Sequence, residues 1–213
     1  DRAGWATSAA ASVLFLLLVM AAPARAQLNI SAAQTTPVST STANNGAPED
    51  VVITTTGSIT PTNTTAVTLD SNNSVTNQGA ITIDDANSVA GILAHGGNTG
   101  AITNSGTISV TDSTVSTTPP YTSGLWRFGI RVDGTTPFNG SISQTAGSIS
   151  VIGNNSAAID VDAGLGAGGT ITIASGSSLS ITGANSYGIL TSGAVSGGIS
   201  VSGGIPALGT GAF

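Results

Sequence analysis

The 213-residue chain contains no cysteine and no lysine. Without cysteine there is no disulfide framework and no thiolate metal site. Charged residues make up 7 % of the chain, against roughly 25 % in an ordinary soluble domain. The cations are Arg2, Arg25, Arg127 and Arg131, and the formal net charge is −6. Nucleic-acid binding through a basic patch is therefore excluded as a function class. Aromatic residues are also scarce, at 4 %. Disordered chains share that scarcity, but they carry high net charge and few β-branched residues. Here Ile, Val and Thr are abundant and alternate with small polar residues.

The alternation is clearest from Asn77 to Val110. Ala80-Ile81-Thr82-Ile83, Val89-Ala90-Gly91-Ile92-Leu93 and Ala101-Ile102-Thr103-Asn104 are three short apolar runs, and Gly106-Thr107-Ile108-Ser109-Val110 restates the first. A period of two is that of a strand with one buried face. Gly, Asn, Asp and Ser separate the runs, and these residues turn a chain. Matching positions recur downstream: Ile92, Ile130, Ile159 and Ile189 form one series, and Ile171 and Ile199 belong to another. Three strands recurring every ~27–30 residues predict an all-β fold, a right-handed parallel β-helix or β-solenoid.

Three segments follow. Residues 1–26 have an apolar core densest at Val13–Met20, then Pro23 and Ala24-Arg25-Ala26. This pattern reads as an export signal peptide cleaved between Ala26 and Gln27. Residues 27–50 are rich in Ser, Thr, Ala, Asn and Pro, and are expected to be a mobile lead-in or an N-terminal cap. Residues 51–213 hold the repeats, with roughly six coils. The step from Ile92 to Ile130 is 38 residues, so an insertion of about ten residues loops out at 112–126, where Pro119-Pro120 cannot continue a central strand. The Gly-rich sequence up to Phe213 has no evident cap and reads as a truncation.

Phrases such as Thr76-Asn77-Gln78-Gly79-Ala80-Ile81 and Thr103-Asn104-Ser105-Gly106-Thr107-Ile108, together with the leader, resemble the passenger region of bacterial autotransporters over about residues 51–203. That resemblance implies a parallel β-helix carried to the cell surface or secreted. It also implies an outer-membrane β-barrel in sequence beyond these residues. The expected role is non-catalytic surface display or adhesion, with glycans or host and matrix surface proteins as partners and no cofactor. The alternative is a secreted polysaccharide-degrading enzyme on the same architecture.

Tyr121, Trp126, Arg127, Phe128 and Arg131 are the one local concentration of aromatic and basic groups. They adjoin the insertion and are the candidate binding residues, since loop aromatics supply recognition surfaces. The alternative for Trp126 and Phe128 is to tuck against the stack and pin the loop. Asp160 and Asp162 flank Val161 and should share one outward face. They are the weak candidates for a cation or an acid/base pair, but a solvated outward pair is the plainer expectation. Asp84, Asp85 and Asp112 sit at corners, where turn capping is expected. His95 is the single histidine. It is expected in a turn, without the Ser and Asp partners of a triad. Deleting residues 113–125 should leave the strand signal in far-UV circular dichroism intact, because the segment lies outside the repeat; collapse of the signal would place it in the stack.

Overall fold

The computed structural model describes residues 26–166 and 168–208. The expected leader, apart from Ala26, lies outside the described residues. The chain winds as a right-handed parallel β-helix with three strands per coil. One sheet contains Gln27–Ile30, Asp50–Ile53, Val75–Asn77, Thr99–Asn104, Asn139–Gln144, Ile171–Ile173 and Ile199–Val201. A second contains Ala33–Gln34, Ser58–Ile59, Ala80–Asp84, Thr107–Thr111, Ser148–Ile152, Ser178–Thr182 and Ala207–Leu208. The third contains Val38–Ser39, Val67–Leu69, Val89–His95, Arg127–Asp133, Ala157–Val161 and Tyr187–Thr191.

One expectation changes. Among the described residues the stack starts at Gln27 rather than Val51, because Gln27–Ile30 pairs with Asp50–Ile53 and Ala33–Gln34 with Ser58–Ile59. The Ser/Thr-rich segment is thus the first coil itself. Its short strands and polar turns hide the period that longer strands make visible. Coil length departs from the ~27–30 residue period early in the stack and at the coil with the insertion. Val51 pairs with Val75, 24 residues on, because the early corners are tight. Ile102 pairs with Ile142, 40 residues on, because that coil carries the insertion. Elsewhere the spacing is 27 from Val75 to Ile102, 29 from Ile130 to Ile159 and 30 from Ile159 to Ile189.

Parallel in-register pairing places like residues above one another. Ile81, Ile108, Ile149 and Leu179 form one buried column, and Ile92, Ile130 and Ile159 form another. Each fully buried aliphatic side chain contributes about 1.5–3 kcal/mol. One interior column breaks the rule. Ile53, Asn77, Asn104, Gln144 and Ile173 succeed one another, and the three amides are fully buried. Asn77 Nδ2 donates to Asn104 Oδ1 at 2.7 Å, and Asn104 Nδ2 to Gln144 Oε1 at 2.7 Å. Asn77, Asn104 and Gln144 also donate to the carbonyls of Thr107, Gly106 and Ala146. The ladder ends at Asn77 Oδ1, which has no partner, because the neighbouring coil offers Ile53.

The glycine of each Thr-Asn-x-Gly phrase has a steric cause. A Cβ on Gly79 would meet the carbonyl oxygens of Gly57 and Thr54, and one on Gly106 that of Gly79. The phrase therefore joins an inward amide to a corner where coils approach too closely for a side chain. Replacing Asn104 with Ala leaves the Gln144 oxygen without its donor and takes away the oxygen to which Asn77 Nδ2 donates. The expected loss is about 2–4 kcal/mol, against less than about 1 kcal/mol for the half-buried outward neighbour Thr103→Ala. Equal shifts in urea midpoint for the two variants would place Asn104 outside the core.

Candidate functional site

The five residues singled out around the insertion are divided among four places. Arg127 is fully buried. Its guanidinium bonds the Thr111 carbonyl and pairs with the Asp112 carboxylate, and its backbone N–H donates to Ser156 Oγ at 3.0 Å. Burial pulls its pKa down, while Asp112, Asp85 and Asp84 oppose that. Arg127 therefore anchors the entry and exit of the 112–126 segment and presents no charge to a ligand. The physical reason is its place at the start of strand Arg127–Asp133, where the side chain turns into the corner beneath the insertion.

Phe128 and Arg131 lie on the outer side of the third sheet. Phe128 is buried with Ala90 and Ala157, and Leu93, Tyr187 and Leu190 pack against them. The Arg131 guanidinium stacks over the Phe128 ring, 4.5 Å from its centre, a cation–π contact. Arg131 Nη2 lies 2.6 Å from Asp162 Oδ2, and Nε lies 3.3 Å from Asp160 Oδ2.

That arrangement corrects the reading of the aspartate pair. Asp162 is partly exposed, but Asp160 is only 2 % exposed. In the outward rank Leu93–Arg131–Asp160–Leu190, Asp160 lies between the guanidinium and a leucine. Its Oδ1 has no hydrogen-bond partner. Burial, and secondarily the Asp162 charge, push the Asp160 pKa up to about 6, against the opposing pull of Arg131.

Trp126 is the third place. It is 51 % exposed and holds a left-handed backbone, φ +56°. The register aligns it with Ser88, Asn155 and Asn185, whose φ values are 56°, 51° and 52°. Asn and Ser suit this corner, since Asn tolerates the left-handed region; a bulky ring there is an outlier. Tyr121 sits on the insertion itself, half-buried over a cavity that does not include Trp126. The Trp126 N–H donates to the Asn154 carbonyl at 3.1 Å.

Of the corner aspartates only Asp112 caps its own turn; Asp84 and Asp85 bond across to the next coil instead. Asp85 Oδ1 accepts from the Ser113 N–H at 2.8 Å and its hydroxyl at 3.0 Å, which holds the carboxyl below its usual range. Asp112 Oδ1 accepts from the Thr114 N–H at 2.6 Å, and Asp84 Oδ1 from the Thr111 hydroxyl at 2.6 Å. Among the described residues no group of three or more His, Asp or Glu is placed to hold a metal ion. His95 ends strand Val89–His95 rather than lying in the turn, and its Nδ1 lies 2.6 Å from Asp133 Oδ1 in the next coil.

Two features escaped the sequence. Asn154 ties the insertion to the stack, donating to the Ser116 carbonyl at 2.7 Å and accepting from the Ala184 N–H at 2.8 Å. The left-handed rank could have been found from the spacing of Trp126, Asn155 and Asn185, which sit one coil apart. No family model matches the chain, no curated protein matches it, and no solved structure matches it.

Asp160 makes stability depend on pH with a definite sign. The unfolded side chain titrates near 3.9, so between about pH 4 and 6 the folded state binds the extra proton. Its contribution is full below about pH 4 and is lost as pH rises through about 6. Asp160→Asn should therefore gain stability relative to the native chain as pH is raised from 4 to 7, by on the order of 1–3 kcal/mol. Urea melts at both pH values measure the gap; a gap independent of pH would mean a hydrated carboxylate.

Proposed function

We propose that the chain is the rigid passenger-like part of an exported surface protein and acts in display or adhesion. Residues 1–26 would direct export, and a β-barrel outside these residues would hold the rod at the cell surface. The T-N-x-G phrases and the three-strand coil support the autotransporter-like reading. A stiff stack with a hydroxyl- and amide-rich exterior suits repeated weak contacts.

The observation that carries recognition is Trp126. An exposed aromatic in a left-handed corner contributes little packing, while its backbone carries strain on the order of 1 kcal/mol or more. Strain that packing does not repay is expected where a residue serves binding. Large exposed rings supply contact area at low entropic cost, both to protein surfaces and to the apolar faces of sugars. The partners proposed are glycans or matrix proteins, and no cofactor is needed.

The second reading, a polysaccharide-degrading enzyme, draws on Asp160. A carboxyl pushed to about 6 beside a second carboxylate and an arginine is the electrostatic pattern of an acid/base pair. Its 2 % exposure weighs against contact with a polymer.

Trp126→Asn separates binding from folding. The variant should melt at the same temperature as the native chain or higher, while binding to immobilised glycans, collagen or fibronectin falls at least tenfold. Unchanged binding to every surface that retains the native chain, or a lower melting temperature, would remove Trp126 from the recognition site. Release of reducing ends or unsaturated sugars from plant or bacterial polysaccharides, lost in Asp160→Asn, would favour the enzyme instead.

A further inference from the structure

Between the insertion and the corner of the stack lies a cavity of about 290 Å³. Val115 and Tyr121 of the insertion face Ile152, Asn154, Thr182 and Ala184 of the two following coils. None of the lining residues is charged. The amide of Asn154 is already engaged on both sides, by the Ser116 carbonyl and the Ala184 N–H. These bonds brace the cavity, because they fix the loop backbone to one coil and that coil to the next. The Arg127–Asp112 pair fixes the loop's base on the same corner.

We infer that this cavity is a binding site for a small, uncharged aromatic molecule bearing one hydroxyl or N–H, of phenol to indole size. The volume is adequate: an apolar cavity of about 150 Å³ takes up benzene, and ligand sites begin near 300 Å³. An uncharged wall excludes a carboxylate or an ammonium, whose desolvation would have no compensation. Apolar surface from Val115, Ile152, Ala184 and the Tyr121 ring matches the faces of a flat ring. The hydroxyls of Thr117, Tyr121 and Thr182 supply a few polar contacts at its edge, while that of Ser116 already donates to the Thr118 carbonyl. A saccharide needs many more hydrogen-bond partners than these, and the one amide present is committed. The site is independent of Trp126, which does not line the cavity.

The test is a titration of the whole chain with indole, phenol, benzoate and methyl glucoside, followed by amide NMR shifts. Indole and phenol should saturate at millimolar concentration or below, moving the amides of Tyr121, Thr182 and Ala184. Benzoate should bind at least tenfold more weakly, and methyl glucoside should leave those amides unmoved. Tyr121→Ala, a change confined to the loop, should weaken indole at least tenfold with an unchanged circular dichroism spectrum. Trp126→Asn should leave indole binding unaltered, which separates this site from the adhesive one. Absence of saturation, methyl glucoside shifts on the same amides, or full indole affinity in Tyr121→Ala would each overturn the inference.

Discussion

Parallel in-register stacking constrains every other feature of this chain. Each residue sits about 4.8 Å from its counterpart in the next coil, so a position is judged by what lies above and below it. Ile above Ile builds a fully buried interior column. Asn above Asn can pass one hydrogen bond along the stack, as Asn77, Asn104 and Gln144 do. A mixed column leaves an orphan, and the unpartnered Asn77 Oδ1 beside Ile53 is the visible instance. The low charge of the sequence has the same origin. Like charges stacked a few ångströms apart repel, and exposed Ser and Thr do not.

The same constraint explains why the insertion can exist. A coil that is ten residues too long must loop out where its neighbours can still close their pairing. The corner before the third sheet permits this, because Arg127 fills the space below the loop and Asn154 bonds across to it. Arg127 brings a buried charge to that corner, and Asp112 within the loop neutralises it. Loop and stack are thereby coupled: removal of either partner strands the other in a dry site, which is strongly unfavourable.

Much of the fold was legible because strand period and coil period are independent signals that agree. Ile92, Ile130, Ile159 and Ile189 were placed in one column from spacing alone, and they pair there. The first coil was not legible, since strands as short as Ala33–Gln34 carry no alternation. The candidate site was only partly readable. Proximity in sequence grouped Tyr121, Trp126, Arg127, Phe128 and Arg131, but Gly129 and Ile130 both face the core, which leaves Phe128 outside beside Arg131, and the corner turns Arg127 inward. Asp160 was expected in solvent because its neighbours Ile159 and Val161 point in. What sequence alone could not convey is that the outer side of the third sheet has its own apolar cover, made by Phe128, Leu93, Tyr187 and Leu190. That cover is assembled from three different coils and is invisible within any one of them.

Residue-resolved hydrogen exchange tests the stacked architecture most directly. The account predicts slow exchange, set by global unfolding, at the amides of Ile102, Ile130, Ile142 and Ile159. It predicts fast exchange across residues 115–123, where backbone groups lie outside the ladders. Uniformly fast exchange at those four isoleucines would contradict the β-helix, and with it every position assigned to the site.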